Sequence, residues 1–217
     1  GLMHAAAVAE GMDEAEMKAK FREITGEDYD DMLALDLPNY IYGEDIDIGC
    51  ANYSKNRLYN DPLIGLLDAN NENPVDSEIF AKYAARLDAI ADKGTEFSYL
   101  YRTQAALCRA LEIKFDLGNV TREKYLAHDR EGVRRIAEES YPLFLARIEE
   151  FYRIFRDKWN RDNKPYGFEI QDIRIGGLIR RCENCRERLL DWCDGKAENI
   201  PELDEPVINA DRGDVAY

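Results

Sequence analysis

Apolar residues return every three or four positions along most of this chain, and that spacing admits little besides α-helix. The clearest stripe follows Ser140 and Pro142: Phe144, Ile148, Phe151, Tyr152, Phe155 and Trp159 share one face, and the proline suits a first turn. Ile79, Tyr83, Leu87 and Ile90 form a second stripe, stopped near Gly94. Phe97, Leu100, Tyr101, Cys108, Leu111 and Phe115 form a third, stopped near Gly118. Shorter pieces are expected from Thr121 and from Asp129, and a last helix from about Ile170 to Cys193, ending at Gly195. Near the start, Asp13 and Glu16 have the spacing of a capping box, and Met17, Phe21 and Ile24 run to Gly26. No internal repeat is visible. The expected fold is all-α: a helical bundle with an irregular N-terminal arm, and no catalytic barrel in this chain.

The bundle has enough material for a core. The 217 residues are 45% hydrophobic and 11% aromatic, which excludes general disorder. Forty-four acids against 29 bases leave a net charge of −15, so nucleic acid and anionic membrane are not expected partners. No run of apolar residues is long enough to span a membrane. The opening "GLMHAAAVAEGMDEAEMKAK" lacks the basic start and apolar middle of a signal peptide. It reads as the middle of a helix behind a glycine left by cloning, so the sequence is expected to be a piece of a longer protein. Five cysteines, Cys50, Cys108, Cys182, Cys185 and Cys193, fit reduced thiols and a cytoplasmic setting.

Candidate chemistry is scarce. "CENC" has the spacing of half a zinc site, yet Cys182 and Cys185 fall inside a helix with no second pair. Cys193 shares their face but lies about 16 Å further along it. These cysteines read as core, and no metal or cofactor is expected. His4 and His128 read as surface or cap residues rather than members of a nucleophilic triad. The glycines of "RIGGL" read as mid-helix positions that permit close helix packing. The acidic pairs Asp30 and Asp31, Asp45 and Asp47, and Glu149 and Glu150 read as solvated faces, so no catalytic residue is assigned.

Two segments resist that bland reading. Residues 36–60 have no sustained period, and a connector so long usually docks or binds something. Within it "NYSKNRLYNDPLIGLLD", residues 52–68, places Tyr53, Lys55, Arg57 and Tyr59 on a loop, with Asn60 or Asp61 as the cap of a following helix. Tyrosine and arginine are favoured at interfaces, which makes this a candidate docking surface; a well-packed internal loop is the plainer reading. In "GFEIQDIRIGGL" Asp172 and Arg174 interrupt an apolar helix start. They are either a buried or interfacial ion pair or two solvated charges on an exposed face.

"LALDLPN" at 33–39, the 52–68 stretch, "YLYRTQAALCRALEIKFDLG" at 99–118 and "NKPYGFEIQDIRIGGLIRRCENCRERLLDWCDGK" at 163–196 occur in that order. Together they resemble the C-terminal helical domain of bacterial family 20 glycoside hydrolases, the β-N-acetylhexosaminidases of three-domain type. Tyr53 departs from a family proline, and Asn56 and Arg57 from bulkier apolar or aromatic residues. The resemblance implies a parent enzyme that removes terminal β-linked N-acetylglucosamine or N-acetylgalactosamine by substrate-assisted catalysis. Its Asp–Glu pair would sit on a barrel strand with no counterpart here. It also implies a division into the end of a barrel helix and link (1–25), an ordered arm and loop (26–72), the helical bundle (73–196) and an acidic tail draped over the surface (197–217). Tyr53, Arg57, Tyr59, Asn60, Asp61, Asp172 and Arg174 are then the candidate contacts to the barrel or to a second subunit in a homodimer. The competing readings are a free-standing helical protein-interaction domain and a carbohydrate-binding module. The latter needs exposed tryptophan, whereas Trp159 and Trp192 fall in helical patterns.

Overall fold

The computed structural model describes residues 2–41, 53–66 and 77–207, with Tyr53 described by its backbone alone. Among these the chain is all-α, with no strand and no barrel. The elements in order are α1 (Leu2–Ala9), α2 (Glu14–Thr25), α3 (Tyr29–Leu33) running into a 3₁₀ turn (Ala34–Asn39), α4 (Tyr53–Tyr59), α5 (Glu78–Ala91), α6 (Ser98–Leu126), α7 (Arg130–Arg135), α8 (Tyr141–Asp162), α9 (Phe168–Cys193) and α10 (Pro201–Asp204). No helix among the described residues is long and apolar enough to cross a membrane.

Helix α6 is the spine. Its 29 residues span about 44 Å, with α5 packed along one side and α8 along another, and α9 closes over α8. The core is built from the stripes the periodicity marks: Phe80, Tyr83 and Leu87 of α5, Tyr101, Cys108, Leu111 and Phe115 of α6, and Phe144, Ile148 and Phe151 of α8. Helix ends follow local chemistry. Asp13 and Glu16 form the reciprocal capping box at the start of α2, and Gly26 ends it in the left-handed conformation that glycine adopts without strain.

Helix α6 does not stop at Gly118. That glycine is buried mid-helix, between Leu117 and Thr121, and the Thr121 hydroxyl donates to the Leu117 carbonyl at 2.6 Å. Burying Phe115, Leu117 and Tyr125 outweighs the roughly 1 kcal/mol that glycine costs a helix. Pro142 does not open a fresh helix either. Helix α7 runs through a π turn, Ile136–Ser140, straight into α8, with the Tyr141 amide donating five residues back to Ile136. The wider turn absorbs the missing proline N–H and the clash of its ring with the preceding turn.

The start of the acidic tail is inserted rather than draped. Ile200 and Leu203 are buried, the Ile200 amide donates to the Tyr125 hydroxyl at 2.9 Å, and that hydroxyl donates to Asp204 at 2.9 Å.

Candidate functional site

The 53–66 segment is a helix and a turn, not an extended loop. Helix α4 lies on α6, and its C-terminal carbonyls are met by a buried cation: the Lys114 ammonium donates to Arg57 O at 3.0 Å and to Asn60 O at 2.7 Å. A cation at that end also opposes the negative pole of the helix dipole. Arg57 is itself buried, with its guanidinium 5.2 Å from the centre of the Phe115 ring. It therefore faces inward, not toward a partner as its composition suggests.

Asp61 ties the turn to the opposite end of the sequence. Its Oδ1 accepts from the Leu63 amide at 2.9 Å and the Ile64 amide at 3.0 Å, and its carboxylate takes a two-pronged bond from Arg181 of α9 at 2.5 and 3.1 Å. Burial alone would raise its pKa; the hydrogen bonds from Arg181, Ile64 and Leu63 and the Arg181 charge hold it below the usual carboxylate value. Arg122 of α6 gathers both strands of the junction, donating to the carbonyls of Leu63 at 2.6 Å, Glu202 at 2.9 Å and Leu203 at 2.9 Å. Arg188 pairs with both oxygens of Glu202, one at 2.6 Å. Asn60, Asp61 and Arg57 thus belong to an internal clasp. Arg122, Arg188 and Glu202 complete it, and no local pattern singles them out: their partners lie between 14 and 83 residues away.

The remaining candidates are more open to solvent. Tyr59 is about a third exposed, and Asp172 and Arg174 are exposed. The last two are not paired with each other: Asp172 accepts from the Tyr152 hydroxyl at 2.9 Å, whereas Arg174 sits near Tyr59. Burial pushes the Tyr59 phenol up, and the Arg174 charge opposes it. The side chain of Tyr53 lies outside the described residues, as do Cys50, Asp45 and Asp47. Between α4 and α9 a cleft of about 240 Å³ opens beneath Tyr59 and Arg174, floored by Leu107 and Leu111 of α6 and Phe151 and Phe155 of α8.

The described residues hold no cluster of His, Cys, Asp and Glu able to bind a metal. Cys182 and Cys185 are buried, and burial pushes their thiols up to about 11 and about 12, far from the thiolate a metal or nucleophile needs. His4 and His128 are exposed. Asp30 and Asp31 pair with Lys18 and Lys93, and Glu149 and Glu150 lie near Arg153 and Arg109, so these two acidic pairs are ordinary surface charges. Trp192 is buried against Tyr125, with Arg130 stacked on it. Trp159 packs among Phe155 and Phe168 and donates its N–H to the Lys164 carbonyl at 3.0 Å. Neither offers an open sugar platform.

The sequence model of one protein family, described as the Glycoside Hydrolase 20C C-terminal domain, matches residues 30–215. The chain belongs to that family. Among curated proteins none matches it. A glycoside hydrolase 20C C-terminal domain is associated with the catalytic domain of its parent enzyme, and the matched span takes in the clasp, the cleft and the helices from α4 to α10.

Proposed function

We propose that this chain is the non-catalytic C-terminal helical domain of an exo-β-N-acetylhexosaminidase, one that removes terminal β-linked N-acetylglucosamine or N-acetylgalactosamine. The observation that carries the proposal is the family match across residues 30–215. The domain supports the catalytic barrel, or a dimer of the enzyme, and contributes no catalytic group of its own. Residues 1–25 serve as the end of a barrel helix and the link, and the arm (26–72) and the bundle (73–196) follow. The enzyme is bacterial and cytoplasmic; the free thiols of Cys108, Cys182, Cys185 and Cys193 fit a reducing compartment.

The test is hydrolysis of chromogenic β-N-acetylglucosaminide and β-N-acetylgalactosaminide. The full-length enzyme is expected to release chromophore from at least one, and this chain alone from neither. Release by this chain alone, or by neither protein, overturns the proposal.

A further inference from the structure

We infer that the N-terminal half of α9, together with the cleft between α9 and α4, is the face that receives the catalytic domain of the parent enzyme. This rests on the reading of the chain as a hydrolase domain.

Four independent features converge there. The outer strip of α9 is apolar where a solvated helix should be polar: Ile170 is 46% exposed and Ile173 70%, and Tyr166 just ahead of the helix is 83% exposed. Three and four residues beyond Ile173 come Gly176 and Gly177. Both are exposed, and a Cβ built on either meets no atom within 4 Å. Packing inside this domain therefore gives no reason for two residues that weaken a helix; a backbone approaching closely from outside does.

The third feature is the cleft beside this strip. Its floor is apolar, yet Ser54 lines it, 3% exposed and with no hydrogen-bond partner for its hydroxyl among the described residues. An unsatisfied buried hydroxyl is a cost that an incoming polar group removes. The fourth is charge. Arg174 lines the cleft without an ion pair among the described residues, in a chain with 44 acids and 29 bases. Tyr59 flanks it, and tyrosine beside arginine over an apolar pocket is the composition of an interface centre.

The occupant is therefore a segment of the catalytic domain that offers a large apolar side chain to the cleft, a backbone or hydroxyl group to Ser54 and a carboxylate to Arg174. The chain path agrees. Helix α3, where the matched family region begins, runs into the 3₁₀ turn, whose Pro38 and Asn39 line the cleft. A second copy of this chain fits less well, because it would bring a further net charge of −15 to the same surface.

Hydroxyl-radical footprinting of the full-length enzyme tests the assignment, with Leu126 at the exposed end of α6 and buried Ile175 as references. The expected result is that Ile170, Ile173 and Tyr166 escape labelling as Ile175 does, at every protein concentration, while Leu126 is labelled. Labelling of Ile173 to the level of Leu126 overturns the inference. So does protection that disappears on dilution, which assigns the face to a second copy. Chromogenic hydrolysis on the same sample separates the two claims: protection without hydrolysis defeats the hydrolase reading alone, and hydrolysis with labelled Ile173 defeats the docking face alone.

Discussion

Replacing Asp61 should expose how much the clasp contributes. Asp61→Ala removes two different interactions. One is the cap on the Leu63 and Ile64 amides, worth about 1 kcal/mol in comparable helix and turn starts. The other is the forked bond to Arg181; the two side chains are 24% and 30% exposed. A pair so placed lies between a surface bridge, worth about 0–1 kcal/mol, and a buried one, whose breaking costs about 3–5 kcal/mol. Taking about 1.5 kcal/mol for it, Asp61→Ala destabilises by about 2.5 kcal/mol, whereas Asp61→Asn, which keeps an acceptor for the amides, costs about 1.5 kcal/mol. For a domain of this size the alanine variant lowers Tm by about 5–10 °C. The pH dependence has a definite sign. Asp61 has a folded pKa depressed below its unfolded value, so its contribution is complete above about pH 4 and disappears as pH falls through the lower folded value. Urea unfolding at pH 7 and again near pH 3, with a double-mutant cycle against Arg181→Met, checks each step. Both variants within about 0.5 kcal/mol of wild type at pH 7, or strict additivity with Arg181→Met, would refute the clasp as an energetic unit.

Lys114→Met leaves the carbonyls of Arg57 and Asn60 without their donor and is expected to cost about 2 kcal/mol, with faster amide exchange confined largely to α4. In the domain alone, Gly176→Ala and Gly177→Ala should each stabilise by about 0.5–1 kcal/mol, since the added methyl meets open space. In the full-length enzyme the same substitutions should lose that gain; an equal gain in both settings argues against a close external approach. Iodoacetamide at pH 7.5 should spare Cys108, Cys182 and Cys185 in the native protein, since burial holds their thiols well above that pH. Labelling at denaturant-free rates comparable to a free thiol would contradict the packing.

Much of the bundle was legible because buried faces repeat at helical spacing: Leu87 and Ile90, or Phe144, Ile148 and Phe151, are core as their periodicity predicts. Caps were legible too, where the chemistry is local, as with Asp13, Glu16 and Gly26. Gly118 misled because a glycine signals a helix end only when it takes a positive φ, and tertiary burial kept this one helical. Seven-residue α4 is too short to show a period, and its neighbours Asn60, Asp61 and Pro62 advertise a turn. Arg57 misled for a further reason. A guanidinium stacked on a buried Phe115 and one awaiting a partner look alike in sequence, because the partner ring is 58 positions away. The clasp arginines share that difficulty: Arg181 and Asp61 are 120 residues apart, and only the fold brings them together.

Whether this domain lives within a larger hydrolase is decided most directly by the size of the native protein that carries it. An antibody raised to this chain, used to blot extracts of the source cells, should reveal a band exceeding 25.0 kDa by at least a catalytic barrel, about 250 residues. A native band at 25.0 kDa would contradict that reading and leave a helical domain that acts alone.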